Sequence, residues 1–354
     1  MNLQGSARRP APVEPIDVDA VLAREKADVR GTLAIPGASG GGIPVAILTG
    51  ERPGPTVWIG ASIHGDEYLG PTVLRRFLDD FDRADLQGRL IVTPVLNGSA
   101  FSRMERSDAG GTDMNRVWDA ARAPPAMSRL RDFLGSNVLS RCDAVVDLHS
   151  GGNRYLQTPF AAFQRTGTAV DARAGMLAKA CGTPLVWAHR GSILETSLIA
   201  AAARRGTPAT LLEIGGEGKA EPPDIDEMSR GLLGALRATG AIRGRPSYLE
   251  SYRVFEGFAV LRNREPGLWR RALEPGADVA EGEPVGQVLD PLGRVLEEIS
   301  SPSEGVVLGI CTYGFVASED YIAELGLEVR REGPSGRASR AGSRARTAPR
   351  DPGP

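Results

Sequence analysis

Residues 56–81, which read TVWIGASIHGDEYLGPTVLRRFLDDF, predict a strand, a tight turn and a helix in direct succession. Residues 56–63 show the alternating residue pattern of a strand and are rich in β-branched side chains, as is typical of a buried strand. Gly70 and Pro71 then open a run of apolar residues at helical spacing. His64 and Glu67 lie in the turn, at the end of a strand, where an open α/β sheet binds its ligands.

Two further predicted strands end in residues of similar chemistry. His149 follows a short apolar strand, and Glu213 lies near the end of another. Two imidazoles and one carboxylate on separate segments suit a zinc ion, and they leave a fourth position for water, which is the pattern of catalytic zinc. The predicted ligands are His64, Glu67 and His149. Glu213 is the predicted base that takes a proton from the water.

Each of these residues also has a plainer interpretation. A histidine in a turn, such as His64, is more often a surface or capping residue, and H-x-x-E occurs often by chance. His149 could be a hydrogen-bonded core histidine. A buried Glu213 would be costly without a partner, so it needs a role or a counter-ion. The third histidine, His189, has no such setting and is interpreted as structural or peripheral.

The segment 98–118 has many polar residues and no clean periodicity, so it predicts a long loop, and long loops are often functional. Guanidinium groups suit a substrate carboxylate or a developing oxyanion. Ordinary salt bridges within the loop are the alternative. The position between metal-ligand segments favours a role in the active site. The polar candidates in this loop are Arg103, Arg106, Asp113, Asn115 and Arg116.

Alternating strand and helix patterns over residues 21–245 favour a three-layer α/β/α sandwich with a mixed sheet. Residues 1–20 are rich in Pro and Arg and predict a flexible arm. Residues 246–329 contain short β-like runs between Gly and Pro turns, which predicts a small all-β domain of barrel or hairpin type. Residues 330–354 are rich in Arg and nearly free of apolar residues, so we expect a disordered tail.

The composition excludes several classes of protein. A net charge of −2 gives no general electrostatic case for binding nucleic acid or an anionic membrane. The three cysteines are scattered and are expected to be free thiols in a reducing cytosol. No signal-like start and no membrane-length apolar run are present. We therefore expect a soluble cytoplasmic protein, and the sequence leaves room for a homo-oligomer.

Five motifs, in this order, resemble those of the succinylglutamate desuccinylase/aspartoacylase family, a branch of the zinc carboxypeptidase-like hydrolases. The likeness runs from about residue 45 to residue 325 and looks closest to the N-acetyl-diaminobutyrate deacetylase type. The motifs are HGDE at 64–67, NGSAFSRMER at 97–106, DMNR at 113–116, DLHSGG at 147–152 and EIGG at 213–216.

The resemblance implies a zinc carboxypeptidase-like fold with one Zn²⁺ per chain and assigns a role to each matching residue. The implied roles are metal binding by His64, Glu67 and His149, general base and acid catalysis by Glu213, oxyanion stabilisation by Arg106, and carboxylate binding by Asn115 and Arg116. Three features depart from the family or lack a secure match. Asn97-Gly98 replaces a frequent Asn-Pro, a further arginine is expected near Arg204 or Arg205, and Tyr313 is a weak match for a site tyrosine.

The resulting expectation is a zinc-dependent amidohydrolase that removes the acyl group from a small N-acyl amino acid. One alternative is a zinc metallocarboxypeptidase that acts on peptides, and another is a binding protein built on a decayed hydrolase. The C-terminal region resembles a biotinyl/lipoyl-type barrel, but no lysine follows Lys219, so it cannot be a covalent carrier. We expect this region to narrow access to the metal and to favour small substrates.

Overall fold

The structure is a computed structural model that describes residues 15–35, 42–119, 123–191 and 193–334. Residues 1–14 of the predicted arm and residues 335–354 of the predicted tail lie outside these ranges. In the described part, no helix combines the length and the apolar character that a membrane span would need. The predicted sandwich with a mixed sheet and a C-terminal all-β region is confirmed.

Seven α-helices are described. They are α1 Val18–Leu22, α2 Leu69–Asp80, α3 Gly98–Arg103, α4 Pro125–Asn137, α5 Val170–Ala180, α6 Leu198–Arg204 and α7 Pro222–Thr239. The prediction of a continuous loop over 98–118 was wrong, because α3 and a short 3₁₀ turn at Met114–Arg116 lie inside it. A helix of six residues is too short to show periodicity.

The strands form one large mixed sheet and one small antiparallel sheet. The strands are β1 Asp28–Leu33, β2 Ile43–Thr49, β3 Arg52–Ala61, β4 Gln87–Thr93, β5 Ala144–His149, β6 Tyr155–Gln164, β7 Leu185–His189, β8 Ala209–Gly216, β9 Tyr252–Phe255, β10 Gly257–Arg262, β11 Gly267–Arg271, β12 Asp278–Val279, β13 Pro284–Leu289, β14 Val295–Ser300, β15 Gly305–Cys311, β16 Phe315–Val316, β17 Tyr321–Leu327 and β18 Arg330–Glu332. The sequence did not predict β6 or β7.

The centre of the large sheet is parallel. Strands β4, β3, β5 and β8 run side by side in the same direction, and β6 then pairs with β8 in the opposite direction. The carboxyl ends of β3, β5 and β8 therefore meet at one edge of the sheet. These three ends carry His64 with Glu67, His149 and Glu213, so the topology brings the predicted site residues to one place.

Alternating residues of the central strands pack on the two faces of the sheet. On β3, Trp58 packs into the cluster that includes α4 and α6, whereas Val57 and Ile59 pack into the cluster that includes α2, α5 and α7. Because both faces are covered, these strands consist almost entirely of apolar residues. The apolar runs that predicted the strands are thus the core itself.

The C-terminal strands continue the large sheet and add the small one. Strand β15 pairs with the first residues of β6, and β17 and β10 follow it. Strands β14, β13, β11 and β16 form the separate antiparallel sheet. The C-terminal region therefore abuts the edge where β6 begins, and it places two of its residues, Phe258 and Glu324, in the wall of the site cavity.

Candidate active site

Three side chains predicted to hold a metal converge beside the ends of β3 and β5. His64 Nδ1 lies 2.5 Å from Glu67 Oε1, and His149 Nδ1 lies 3.0 Å from Glu67 Oε2. One donor atom from each residue lies within 4.8 Å of the others, and all three side chains are buried. Three convergent donors of this kind could hold a single metal ion.

The turn that carries His64 is held against helix α3. Asn97 caps that helix by accepting a hydrogen bond from the Ala100 N–H at 3.1 Å, and its amide donates to the Ile63 carbonyl at 3.3 Å. A Cβ atom at Gly65 would lie 2.0 Å from the backbone carbonyl carbon of Ala100. Only glycine permits this close approach, so the short helix fixes the position of the turn.

Each histidine of the metal group has an aspartate at its other ring nitrogen. His64 Nε2 lies 3.1 Å from Asp113 Oδ1, and His149 Nε2 lies 3.0 Å from Asp147 Oδ2. These contacts assign the Nε2 proton of each ring to its aspartate, and they leave each Nδ1 facing the metal group. Sequence reasoning gave Asp147 no role, although its spacing from His149 places both on one face of β5.

The charges around the group favour binding of a cation. Burial would raise the pKa of Glu67, but the two histidines beside it hold that pKa below its ordinary value. Burial would likewise lower the pKa of His149, but Asp147 and Glu67 outweigh it and raise the pKa well above its usual value. Glu67 therefore stays ionised between the two imidazole rings, and a bound cation would take the place of the proton that a raised pKa gives the His149 ring.

Glu213 lies beside the metal group on the neighbouring strand. It is in register with His149 across the parallel β5–β8 pair, and it lines the same cavity as His64 and Glu67. Burial, together with the negative charge of Glu67, raises the pKa of Glu213 well above its ordinary value. A carboxyl group with a raised pKa can both accept and return a proton near neutral pH.

The polar loop brings three of its predicted residues to this cavity. Arg106 donates to Asp113 Oδ2 from Nε at 3.2 Å and from Nη2 at 3.0 Å, and its Nη1 lies 3.8 Å from Glu67 Oε1. Arg116 Nη1 donates to the Asn115 carbonyl at 3.1 Å. Arg106, Asn115 and Arg116 all line the cavity, which has a volume of about 70 Å³.

The side-chain oxygen of Asn115 has a hydrogen-bond partner within the protein. Its Oδ1 accepts a hydrogen bond from the Leu198 N–H at 3.0 Å, at the start of α6. Asn115 is buried, and this contact ties the loop to the helix that covers one face of the sheet. The amide nitrogen of Asn115 is the side-chain group that this contact leaves for a ligand.

Other residues named from the sequence lie outside the cavity wall. Arg103 pairs with Glu105 at 2.7 Å, and Arg204 pairs with Asp119 at 2.5 Å. Arg205 and the half-exposed Tyr313 do not line the cavity either. His189 is fully buried at the end of β7, where burial and the charge of Arg204 lower its pKa to about 3. This buried position agrees with the interpretation of His189 as a structural residue.

Two aromatic residues of the cavity wall come from strands that the sequence did not predict, and a third comes from the predicted C-terminal β region. Phe160 lies on β6 and Trp187 on β7, and Phe258 comes from β10 in the C-terminal region. Trp187 and Phe258 stack with ring centroids 4.4 Å apart. Two larger surface cavities, of about 340 and 670 Å³, lie beside α5 and contain none of the metal-group residues.

Residues 53–239, more than half of the chain, match the succinylglutamate desuccinylase/aspartoacylase catalytic domain. The N-alpha-acetyl-L-2,4-diaminobutyric acid deacetylase of Halomonas elongata is 28% identical over 255 residues, which cover 70% of this chain and 74% of that protein.

Solved structures agree with this assignment. The product-bound ectoine utilization protein EutE (DoeB) from Ruegeria pomeroyi has a TM-score of 0.78 and 25% identity, and the match covers 90% of this chain and 99% of that one. A succinylglutamate desuccinylase/aspartoacylase from Rhodobacter sphaeroides has a TM-score of 0.75 and 26% identity over 89% and 98% of the two chains. The chain belongs to the succinylglutamate desuccinylase/aspartoacylase family.

Proposed function

We propose that this chain is a zinc-dependent amidohydrolase that removes the acyl group from a small N-acyl amino acid. The observation that carries the proposal is the convergence of His64, Glu67 and His149, with Glu213 in the wall of the same cavity. The relative from Halomonas elongata is named as a deacetylase, and the family name describes desuccinylase and acylase activities. Both belong to the same class of amide hydrolysis.

The donor set suits zinc. Two imidazole nitrogens and one carboxylate are typical catalytic zinc ligands, whereas calcium and magnesium prefer oxygen atoms alone. The aspartates at the two Nε2 atoms orient the rings as zinc-bound histidines require. When bound, zinc would acidify a water molecule and polarise the amide carbonyl. The residues that would hold it are His64, Glu67 and His149.

The remaining residues have distinct roles in this proposal. Glu213 would take the proton of the attacking water and later deliver it to the leaving nitrogen, so that a C–O bond forms and the amide C–N bond breaks. Arg106 would stabilise the negative charge that develops on the carbonyl oxygen. Arg116 and the amide of Asn115 would bind the carboxylate of the amino acid.

The size of the cavity favours a small substrate over a peptide. Phe258 and Glu324 from the C-terminal strands form part of the wall of a space of about 70 Å³. We therefore propose a substrate of the N-acetyl-diaminobutyrate type, which the name of the Halomonas elongata relative suggests. A metallocarboxypeptidase would instead cleave tripeptides as fast as N-acyl amino acids. The proposal includes a cytoplasmic location on sequence grounds.

The test compares metal-stripped protein with zinc-restored protein on N-acetyl, N-succinyl and N-formyl amino acids. Restored activity should accompany one zinc per chain. Glu213→Gln should lower kcat by about 10³-fold and keep the zinc, since removal of a general base typically costs 10²- to 10⁴-fold. Glu298→Gln on exposed β14 is the matched control and should match the unaltered protein. Near-normal turnover by Glu213→Gln, or a failure to bind zinc, would contradict the proposal.

A further inference from the structure

Glu324 is a carboxylate in the cavity wall to which the proposed reaction gives no role. It lies on β17 in the C-terminal region, and it lines the cavity together with Glu67, Glu213 and the two arginines of the loop. Glu67 belongs to the metal group and Glu213 is the proposed base. Glu324 is therefore the third carboxylate of the cavity, and the chemistry of amide hydrolysis does not need it.

The sheet positions Glu324 through a row of three residues on neighbouring strands. Gly309 on β15 is in register with Gln157 of β6 on one side and with Glu324 of β17 on the other. Because Gly309 has no side chain, the Gln157 side chain crosses over it, and Gln157 Nε2 donates to Glu324 Oε2 at 3.0 Å. A Cβ atom at Gly309 would lie 2.2 Å from Gln157 Oε1.

This pair has spare capacity to accept hydrogen bonds. Gln157 is only 7% exposed, and its buried Oε1 has no hydrogen-bond partner among the described residues. The second carboxylate oxygen of Glu324 likewise accepts no hydrogen bond from a side chain in the described ranges. Gln157 does not line the cavity, so only the Glu324 oxygen is offered to a ligand there. A ligand with N–H donors would pair with that oxygen.

Glu324 is not the ion-pair partner of the cavity arginines. Within the part of the chain that the structure describes, neither Arg106 nor Arg116 lies within 4.0 Å of it, whereas Arg106 pairs with Asp113. Its negative charge nevertheless acts on Arg106, Arg116 and Glu213. The cavity wall thus contains two arginines, which suit a substrate carboxylate, and a carboxylate at Glu324 that forms no ion pair with either of them.

We propose that Glu324 binds the side-chain ammonium group of the substrate and makes the enzyme selective for N-acylated diamino acids. This inference rests on the proposed function. An ammonium group offers three donors and forms charge-assisted hydrogen bonds with a carboxylate. The same carboxylate repels acylated acidic amino acids, whose side chains carry a negative charge. Gln157 is a positioning residue that holds Glu324 in place.

The test uses two acetylated amino acids of nearly equal size and shape. N-α-acetyl-2,4-diaminobutyrate carries the ammonium group, and N-acetylnorvaline carries a methyl group in its place. Glu324→Gln keeps the size of the side chain and removes its charge. We expect kcat/KM to fall about 10- to 100-fold for the cationic substrate and less than about threefold for the neutral one, as for one charge-assisted hydrogen bond. Glu298→Gln should change neither value.

A binding measurement separates this inference from the proposed reaction. Calorimetry with the zinc-loaded protein should show that 2,4-diaminobutyrate binds about tenfold more weakly to Glu324→Gln, whereas norvaline binds equally to both proteins. Glu324-dependent binding without any turnover would support the inference and contradict the proposed function. An equal loss for cationic and neutral compounds, or no loss at all, would overturn the inference even if both substrates are hydrolysed.

Discussion

The two histidines of the metal group obtain their aspartate partners from different parts of the chain. Asp147 precedes His149 by two residues in the same strand and is fully buried. Asp113 reaches His64 from a loop 49 residues away, keeps its side chain 19% exposed, and also accepts hydrogen bonds from Arg106. The Asp147–His149 pair therefore belongs to a strand and is called the strand half of the site. The Asp113–His64 pair depends on a loop and is called the loop half.

The same aspartate–histidine contact occurs twice, but the two aspartates differ in what else they hold in position. Strand β5 pairs with β3 and β8 on both sides, so Asp147 cannot move without disturbing two ladders. Asp113 is held by side-chain contacts, and it also caps the turn that leads to Asn115 and Arg116. We expect substitutions in the strand half to affect metal binding alone. Substitutions in the loop half should affect the binding of both the metal and the substrate.

Asp113→Ala should have the largest effect. The change removes the partner of His64 and the anchor of Arg106 together, so zinc affinity should fall about 10- to 100-fold. With zinc at saturation, kcat/KM should still fall about 10²- to 10³-fold, because an oxyanion donor is displaced. Chelator competition and steady-state kinetics measure the two effects. Normal kinetics at saturating zinc would show that the loop half does not reach the substrate.

Asp147→Ala should produce only the first of these effects. Zinc affinity should fall about 10- to 100-fold because the His149 ring loses the group that orients it. With zinc at saturation, KM should stay within about threefold of its normal value. Asp147→Asn keeps an acceptor oxygen and should retain more zinc than the alanine variant. A rise in KM as large as that of Asp113→Ala would remove the distinction between the two halves.

Arg116→Lys should have a smaller effect that is confined to the loop half. Lysine keeps the positive charge but loses the planar fork that binds a carboxylate, so KM should rise about tenfold while kcat changes less than about threefold. Steady-state kinetics on an N-acetyl amino acid would measure both values. A loss in kcat with unchanged KM would instead place Arg116 at the reacting carbonyl.

The smallest expected effect comes from replacing the third histidine, His189. This effect concerns the stability of the fold. Burial lowers its pKa to about 3 in the folded protein, whereas an unfolded histidine titrates near 6.5. The unfolded chain therefore binds the extra proton first, and stability is lost as the pH falls below about 6.5.

Between pH 7 and pH 5 this linkage amounts to about 2 kcal/mol of unfolding free energy for a fully shifted group. Urea unfolding of the normal protein and of His189→Gln, at both pH values and equal zinc, would measure it. We expect the variant to lose about 2 kcal/mol less over this range. An identical loss in both proteins would show that His189 titrates normally in the folded state.

The sequence predicted the parts of the site that follow from local pattern. His64, His149 and Glu213 follow or end apolar runs that form central strands, and the carboxyl ends of parallel strands meet. The structure brings these residues together with Glu67, although their roles stay predictions. Asp147 escaped notice because a single acid inside an apolar run carries no signal until its contact with His149, two residues later on the same face of β5, is seen.

The features that the sequence did not predict were missed for physical reasons of the same kind. Strand β6 contains Pro159, which usually excludes a residue run from the interior of a sheet. Here the proline falls at a shift in register between Gln157 and Phe160, where no regular ladder bond is required. The position of Glu324 depends on a glycine in an intervening strand and on a contact with a residue 167 positions away. No local pattern records such a contact.

Strand β6 also limits how this fold can be divided. It pairs with β8, with β15 and with β7 along different parts of its length, and β7 pairs in turn with β9. A chain ending at residue 245 would leave two of these edges open, and open edges promote aggregation. Any exchange of the C-terminal region for another module must therefore keep a strand in the place of β15. The shape of this sheet edge therefore limits which modules could replace the C-terminal region of this chain.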